Sequence, residues 1–237
     1  MMPVPVHEVK ALLVRDLWLP LAIRGGDQLF PKRRNHKRMK LFTLTNMNYQ
    51  EVEEFENCRL IKREYIVAWT HSHLEALRLE ADLGKSKVMT EGRFDDEINI
   101  DSGVISDRLP FDIINLDYFS QLPVNDIGRI EKEINGGQIL ITLMGNHPIK
   151  GFVLLFTTQL DQCDLSFNQL SFPIQQPPGL PNPISNMNDK VEFIKHAINS
   201  ILLLNNYIIV ESNELCISIE NSPDLVFSIG FVLLRSS

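Results

Sequence analysis

The end of the chain decides the fold, because YIIVES at residues 207–212 and VFSIGFVLL at residues 226–234 are apolar runs rich in strand-forming residues. The connection between them contains the turn formers NSP at residues 221–223. Consecutive strands without a crossover helix are most simply antiparallel. We therefore predict neighbouring strands at Tyr207–Val210 and Val226–Leu233, at least one of them antiparallel to the rest of the sheet.

Upstream of this pair, apolar strand-forming runs alternate with segments of helical spacing. The predicted strands lie at residues 39–45, 65–70, 87–91, 111–118 and 152–158, and the predicted helices at about 48–61, 72–83, 129–134 and 189–205. FVLLFTT at 152–158 is preferred as a central strand over residues 139–143, which can instead continue a helix across Gly136 and Gly137. Such alternation is typical of a mostly parallel sheet with helices on both faces.

The sequence thus predicts a Rossmann-like α/β domain over residues 39–237 with a C-terminal antiparallel strand pair. A lead-in over residues 1–38 is predicted to hold one helix at Val6–Leu19, followed by a loop with Gly25, Gly26 and a basic run. A chain of 237 residues suits one such domain.

Charge, cysteine content and hydropathy argue against several classes of protein. The net charge of -7 does not by itself attract nucleic acid or an anionic membrane. Cys58, Cys163 and Cys216 are far apart, so we expect neither a disulfide framework nor a metal site, and a reducing cytoplasm is the simplest compartment. No apolar run approaches about 18 residues and no secretory leader is evident, so no membrane span is expected.

One segment opposes this acidic average: PKRRNHKRMK at residues 31–40 carries six Lys or Arg residues. Two interpretations remain open, a solvated loop before the first strand or a patch that contacts phosphates. In the second case Arg33, Arg34, Lys37 and Arg38 are the candidate nucleic-acid-binding residues. No aromatic residue interleaves the charges, so base stacking is not predicted there.

The alternation of strands and helices, closed by an antiparallel pair, resembles class I S-adenosylmethionine-dependent methyltransferases. In that family a seven-stranded sheet ends in an antiparallel hairpin, and SIGFVL at residues 228–233 looks like its last strand. The resemblance covers about residues 39–234. It implies a ligand site at the carboxyl edge of the parallel strands, where open α/β sheets bind their ligands.

PFDIINLDYFSQ, at residues 110–121, is similar to the D-x-D-P-[FY]-G motif of tRNA guanine-N2 methyltransferases and, less fully, to the [DN]-P-P-[FYW] motif of amino-group methyltransferases. The resemblance implies catalytic roles for Asn115, Asp117 and Tyr118. Asn115 would orient an amine and Asp117 would accept its proton. The prolines of both motifs are absent, and the alternative is that Asn115 and Asp117 cap the strand end and the next helix.

The resemblance also implies where S-adenosylmethionine would bind: Thr45, Asn46, Asn48, Thr70 and Glu91 occupy the corresponding strand ends. Family members have a glycine-rich turn after the first strand, because glycine lets the backbone approach the ligand. Here that turn contains no glycine, and the acid that would bind the ribose after the second strand is also absent. We therefore expect cofactor binding to be weak or absent.

Two functions follow from these observations. The first is a catalytically degenerate methyltransferase-like module that acts as a subunit or scaffold of a larger complex, with another protein subunit as its partner. The alternative is an active S-adenosylmethionine-dependent methyltransferase on nucleic acid or protein. The turn without glycine favours the first.

Overall fold

The computed structural model describes residues 3–31, 39–45, 50–70, 73–84, 88–90, 94, 98, 103–120 and 128–236. Seven strands form one sheet in the order β3-β2-β1-β4-β5-β7-β6. The strands are β1 Met39–Leu44, β2 Ile61–Thr70, β3 Val88–Thr90, β4 Ile113–Asp117, β5 Gly151–Leu160, β6 Tyr207–Ser218 and β7 Leu225–Arg235.

Strands β1 to β5 run parallel to one another, and β7 runs antiparallel to both β5 and β6. Leu155 of β5 faces Gly230 of β7, near the middle of a ten-residue ladder. The predicted mostly parallel sheet with its antiparallel C-terminal pair is confirmed. FVLLFTT is confirmed as part of the central strand β5.

Helices cover both faces of this sheet. They are α1 Val6–Leu13, α2 Leu19–Leu29, α3 Gln50–Asn57, α4 His73–Leu83, α5 Gly103–Ser106, α6 Arg129–Gly145 and α7 Met187–Leu204. A π-helical turn at Val14–Trp18 joins α1 to α2, and residues 173–183 are irregular, as their prolines predict. One buried core lies between the sheet and helices α1 to α4, and the other between the sheet and helices α6 and α7.

The lead-in differs from the prediction, since the chain is helical from Val6 to Leu29 rather than over Val6–Leu19 alone. Gly25 and Gly26 lie inside α2, not in a loop. A Cβ atom on Gly25 would stand 2.4 Å from a methyl carbon of Val153 in β5. Glycine at this position therefore allows the helix to lie close against the sheet, a role that outweighs its low helix propensity.

Candidate functional site

The carboxyl end of β4 carries all three predicted catalytic residues. Asn115 and Asp117 lie in the last three residues of the strand, and Tyr118 begins the 3-10 turn that follows. Asn115 pairs in register with Thr43 of the neighbouring strand β1. The residues thus lie at the edge where a ligand site is expected, but their side chains are at most 2% exposed.

A lysine from the first helix covers this edge. Lys10 of α1 places its Nζ atom 2.9 Å from Oε2 of Glu51, in the first turn of α3, and 3.3 Å from Oδ2 of Asp117. Both carboxyl groups are fully buried, and Lys10 itself is buried. One ammonium is therefore shared by two carboxyl groups that arrive from different elements of the fold.

Hydrogen bonds extend this arrangement along the strand ends. The hydroxyl of Thr43 donates to Oε1 of Glu51 at 3.2 Å, and the amide of Asn115 donates to the Thr43 hydroxyl at 3.3 Å. We call Lys10, Thr43, Glu51, Asn115 and Asp117 the Lys10 network. Its members bind one another, so Asn115 and Asp117 act in this arrangement as parts of a buried polar core.

The network keeps Lys10 protonated. Burial by itself lowers the pKa of a lysine, but the negative charges of Glu51 and Asp117 outweigh burial and raise the pKa of Lys10 above its ordinary value. A buried cation held by two carboxyl groups costs solvation energy that only well-placed partners offset. The charge of Lys10 therefore depends on both carboxyl groups remaining in place.

Sequence reasoning missed Lys10 and Glu51, although each carries a recognisable signal. Lys10 lies three residues before Leu13 on the buried side of α1, and Glu51 lies four residues before Phe55 on the buried side of α3. Residues three or four apart share one face of a helix. A charged residue on such an apolar stripe needs a buried partner, which points to an ion pair.

Tyr118 faces away from this network. Its hydroxyl donates to the carbonyl oxygen of Glu133 in α6 at 3.1 Å, and its ring packs against Phe156 with centroids 5.7 Å apart. A ring in this position fills the core on the α6 side of the sheet. It does not share a surface with Asp117 on which a base could stack.

Two of the five predicted cofactor residues lie within the described structure. Thr45 is buried and donates its backbone N–H to the carbonyl oxygen of Trp69 at 3.0 Å. Thr70 is buried and donates its hydroxyl to Oε2 of Glu75 at 2.7 Å, which ties the end of β2 to the first turn of α4. In this arrangement neither side chain contacts solvent.

The other predicted site residues lie outside the described residues. These are the cofactor candidates Asn46, Asn48 and Glu91 and the nucleic-acid candidates Arg33, Arg34, Lys37 and Arg38.

A second buried cluster lies on the opposite face, where α6 and α7 begin and β5 ends. Arg129 contacts Glu133 at 3.0 Å and Asp161 at 3.2 Å, and it also donates to the carbonyl oxygen of Gln159. The ammonium of Lys190 donates to the carbonyl oxygen of Asp161 at 2.6 Å. This Arg129 cluster, formed by Arg129, Glu133, Asp161 and Lys190, fixes the start of the irregular loop that follows β5.

Glu131 of α6 holds the same loop, since its Oε1 atom accepts the backbone N–H of Ser166 at 2.8 Å. Burial raises the pKa of this carboxyl group above its ordinary value. The described residues contain no group of three or more His, Cys, Asp or Glu side chains arranged to hold a metal ion. In the described part of the chain no helix is long and apolar enough to cross a membrane.

No family model and no curated protein matches the sequence. Solved structures of similar shape include M. jannaschii TYW2 in complex with AdoMet, at 6% identity and a TM-score of 0.42, over 94% of this chain and 80% of that one.

A second similar structure is Burkholderia thailandensis 1,6-didemethyltoxoflavin-N1-methyltransferase with S-adenosylhomocysteine, at 10% identity and a TM-score of 0.41, over 100% of this chain and 93% of that one. A third is an S-adenosylmethionine-dependent methyltransferase from Clostridium acetobutylicum. It has 10% identity and a TM-score of 0.40, over 98% of this chain and 97% of that one. Likeness at this level does not extend to function, and the fold itself is defined by strand order and direction.

Proposed function

We propose that this domain, which has the Rossmann-like α/β fold of class I S-adenosylmethionine-dependent methyltransferases, is a catalytically silent module that serves as a subunit or scaffold of a larger complex. One observation carries the proposal: Asp117, the candidate proton acceptor, is fully buried and its carboxylate is 3.3 Å from the ammonium of Lys10. A carboxylate held as the counterion of a buried lysine is a poor general base.

The chemistry of methyl transfer supports this view. The reaction needs an in-line approach of nucleophile and methyl group, and a nitrogen nucleophile also needs a group that takes its proton. Asn115 already donates its amide to Thr43, and Asp117 is covered by α1. A substrate would have to displace Lys10 from two carboxyl groups before it reached either side chain.

The cofactor side supports the same proposal. The carboxyl edge beside β4 is already occupied by Lys10, whose ammonium lies 2.9 Å from Glu51 and 3.3 Å from Asp117. The turn after β1 lacks glycine, and the end of β2 lacks the ribose-binding acid. One charge-assisted hydrogen bond contributes about 1.5–3 kcal/mol, so losing that acid weakens binding roughly ten- to a hundredfold.

Calorimetric titration of the full chain with S-adenosylhomocysteine tests the proposal. We expect no saturable heat up to about 1 mM ligand, which corresponds to a binding free energy weaker than about -4 kcal/mol. A thermal-shift titration with S-adenosylmethionine under the same conditions checks the charged cofactor separately. Stoichiometric binding of either ligand at micromolar concentration would overturn the proposal and favour an active enzyme.

A methyl-transfer assay distinguishes the two functions directly. Wild-type protein is incubated with labelled S-adenosylmethionine and either bulk tRNA or bulk protein, and Asp117→Asn serves as the matched variant because it keeps the shape of the side chain. The proposal predicts background incorporation for both. Incorporation that Asp117→Asn abolishes, with the fold intact by circular dichroism, would restore Asp117 to a catalytic role.

A further inference from the structure

Strand β6 forms one edge of the sheet, and most of that edge is open. In the described part of the chain, its outer side is covered only at its end, where Val4 bridges Ile219. The N–H of Val4 donates to the carbonyl oxygen of Ser218 at 2.8 Å, and the N–H of Glu220 donates to that of Val4 at 2.9 Å. Residues 207–217 therefore present backbone groups that another strand can pair with, in a row that a β-bulge interrupts between Ile209 and Glu211.

Exposed apolar side chains gather at the same place. Ten large apolar side chains are well exposed in the described structure, and three of them, Ile208, Val210 and Leu234, lie on β6 and the adjacent end of β7 at 38–54% exposure. Ile208 and Leu234 are partners in the ladder between β6 and β7. Such a concentration of apolar surface marks an interaction site more often than a solvent-exposed face.

The charges on β6 are already neutralised within the chain. Glu211 lies 2.6 Å from the guanidinium of Arg24, and Glu214 lies 3.1 Å from the ammonium of Lys195. Natural proteins protect edge strands with charged side chains, especially lysines, among other devices. Because β6 carries no lysine and both of its glutamates are paired, a second β6 strand can approach it without meeting unpaired like charge.

The sequence of β6 is complementary to itself when it is read in the opposite direction. Apolar residues YIIV at 207–210 and LCI at 215–217 flank a polar centre, ESNE at 211–214. In an antiparallel pair related by a twofold axis, the first half of each strand lies opposite the second half of the other. When Ser212 lies opposite itself, Tyr207, Ile208 and Ile209 lie opposite Ile217, Cys216 and Leu215 of the second copy. Val210 then lies opposite Glu214, so the apolar match covers three residue pairs in each half.

We infer that the chain forms a homodimer through antiparallel pairing of β6 with β6 of a second copy, with the twofold axis at Ser212. In this register Glu211 lies opposite Asn213 of the second copy, and no glutamate lies opposite a glutamate. Eleven strand residues at about 3.4 Å each give a contact line of roughly 37 Å. The inference goes beyond the proposed function, since the dimer forms whether or not the domain binds a cofactor.

Sedimentation velocity of the full chain tests the dimer. The wild type is expected to sediment at twice the chain mass of 27.2 kDa. Ile208→Lys with Val210→Lys adds two charges to the open edge and is expected to give the monomer. The matched control is Leu74→Lys with Leu77→Lys on α4, two equally exposed residues away from β6, which leaves the dimer intact. Circular dichroism confirms that both variants fold.

A cross-link tests the register. Residues directly opposite each other in an antiparallel pair have Cα atoms about 4.5–5.5 Å apart, within reach of a disulfide. Ser212→Cys, in a chain whose native cysteines are replaced by serine, is expected to give a covalent dimer on mild oxidation. A monomeric wild type, a dimer that survives Ile208→Lys with Val210→Lys, or the absence of this cross-link would each overturn the inference.

Discussion

Replacing Lys10 with methionine tests the buried network most directly, because it removes the ammonium and keeps an unbranched side chain. The Nζ atom lies 2.9 Å and 3.3 Å from two buried carboxyl groups, those of Glu51 and Asp117. Removing one partner from a buried ion cluster costs about 3–5 kcal/mol, since the remaining charges stay buried without compensation. For a domain of this size each kcal/mol lowers Tm by roughly 2–4 °C, so we expect a fall of roughly 6–20 °C.

Urea denaturation followed by the fluorescence of the buried Trp18 and Trp69 measures the loss. The matched control is Lys62→Met, because Lys62 and its partner Glu64 are both exposed and their pair contributes less than about 1 kcal/mol. Adding Glu51→Gln and Asp117→Asn to Lys10→Met removes all charge from the Lys10 network and is expected to recover most of the stability. If Lys10→Met lowers the free energy of unfolding no more than Lys62→Met does, Lys10 does not hold a buried ion pair with Glu51 and Asp117.

The stability difference between wild type and Lys10→Met is expected to depend on pH. Burial lowers the pKa of Lys10, but the two carboxylates outweigh it and raise the pKa above the ordinary 10.5. A raised pKa means that the contribution of the ammonium is complete below about pH 10.5 and is lost as the pH rises through the folded value. The difference in stability between wild type and Lys10→Met is therefore expected to stay constant from neutral pH to about pH 10 and to shrink above it.

Other variants probe separate parts of the fold. The hydroxyl of Tyr207 has no hydrogen-bond partner among the described residues and burial raises its pKa to about 12, so Tyr207→Phe should gain about 1 kcal/mol at neutral pH. The stability advantage of Tyr207→Phe over wild type should be larger between pH 10 and 12, because there the tyrosine ionises in the unfolded wild type and not in the folded one. Urea denaturation that shows no added stability in the variant would contradict this. Gly25→Ala should lose about 1–3 kcal/mol because its Cβ meets Val153 at 2.4 Å. Gly26→Ala should lose less stability by calorimetry, because its Cβ meets the flexible end of Met39 at 3.1 Å and a methyl carbon of Leu60 at an ordinary 3.7 Å. Arg129→Met should cost about 3–5 kcal/mol and speed chymotrypsin cleavage in the loop after β5, and unchanged cleavage would argue against the Arg129 cluster as its anchor.

The sequence predicts the sheet well because its strands are continuous apolar runs. YIIVES and VFSIGFVLL leave no room for a crossover helix, so their antiparallel direction follows from chain length alone. The edge position of Asn115 and Asp117 follows in the same way from the parallel strands before them. Strand β2 begins at Ile61, earlier than predicted, because the polar residues between Ile61 and Tyr65 are exposed and hide the apolar pattern.

The burial of the candidate site was not predictable from local patterns. Whether Asp117 faces a substrate or a lysine depends on helix α1. This helix ends at Leu13, far in sequence from β4, which begins at Ile113. Gly25 and Gly26 illustrate the same difficulty, because glycine serves both tight turns and close packing, and only the position of Val153 separates the two roles.

The bond between the indole of Trp18 and the hydroxyl of Ser228 joins residues 210 positions apart, at 3.1 Å. During synthesis at 5–20 residues per second, Trp18 is added to the chain roughly 10–40 s before Ser228. Helix α2 must therefore wait for β5 and β7 with part of its apolar face uncovered, since those strands supply surface on which it packs. Completion of this core is therefore a late, non-local event, and apolar helix surface stays exposed until the last strands have been made.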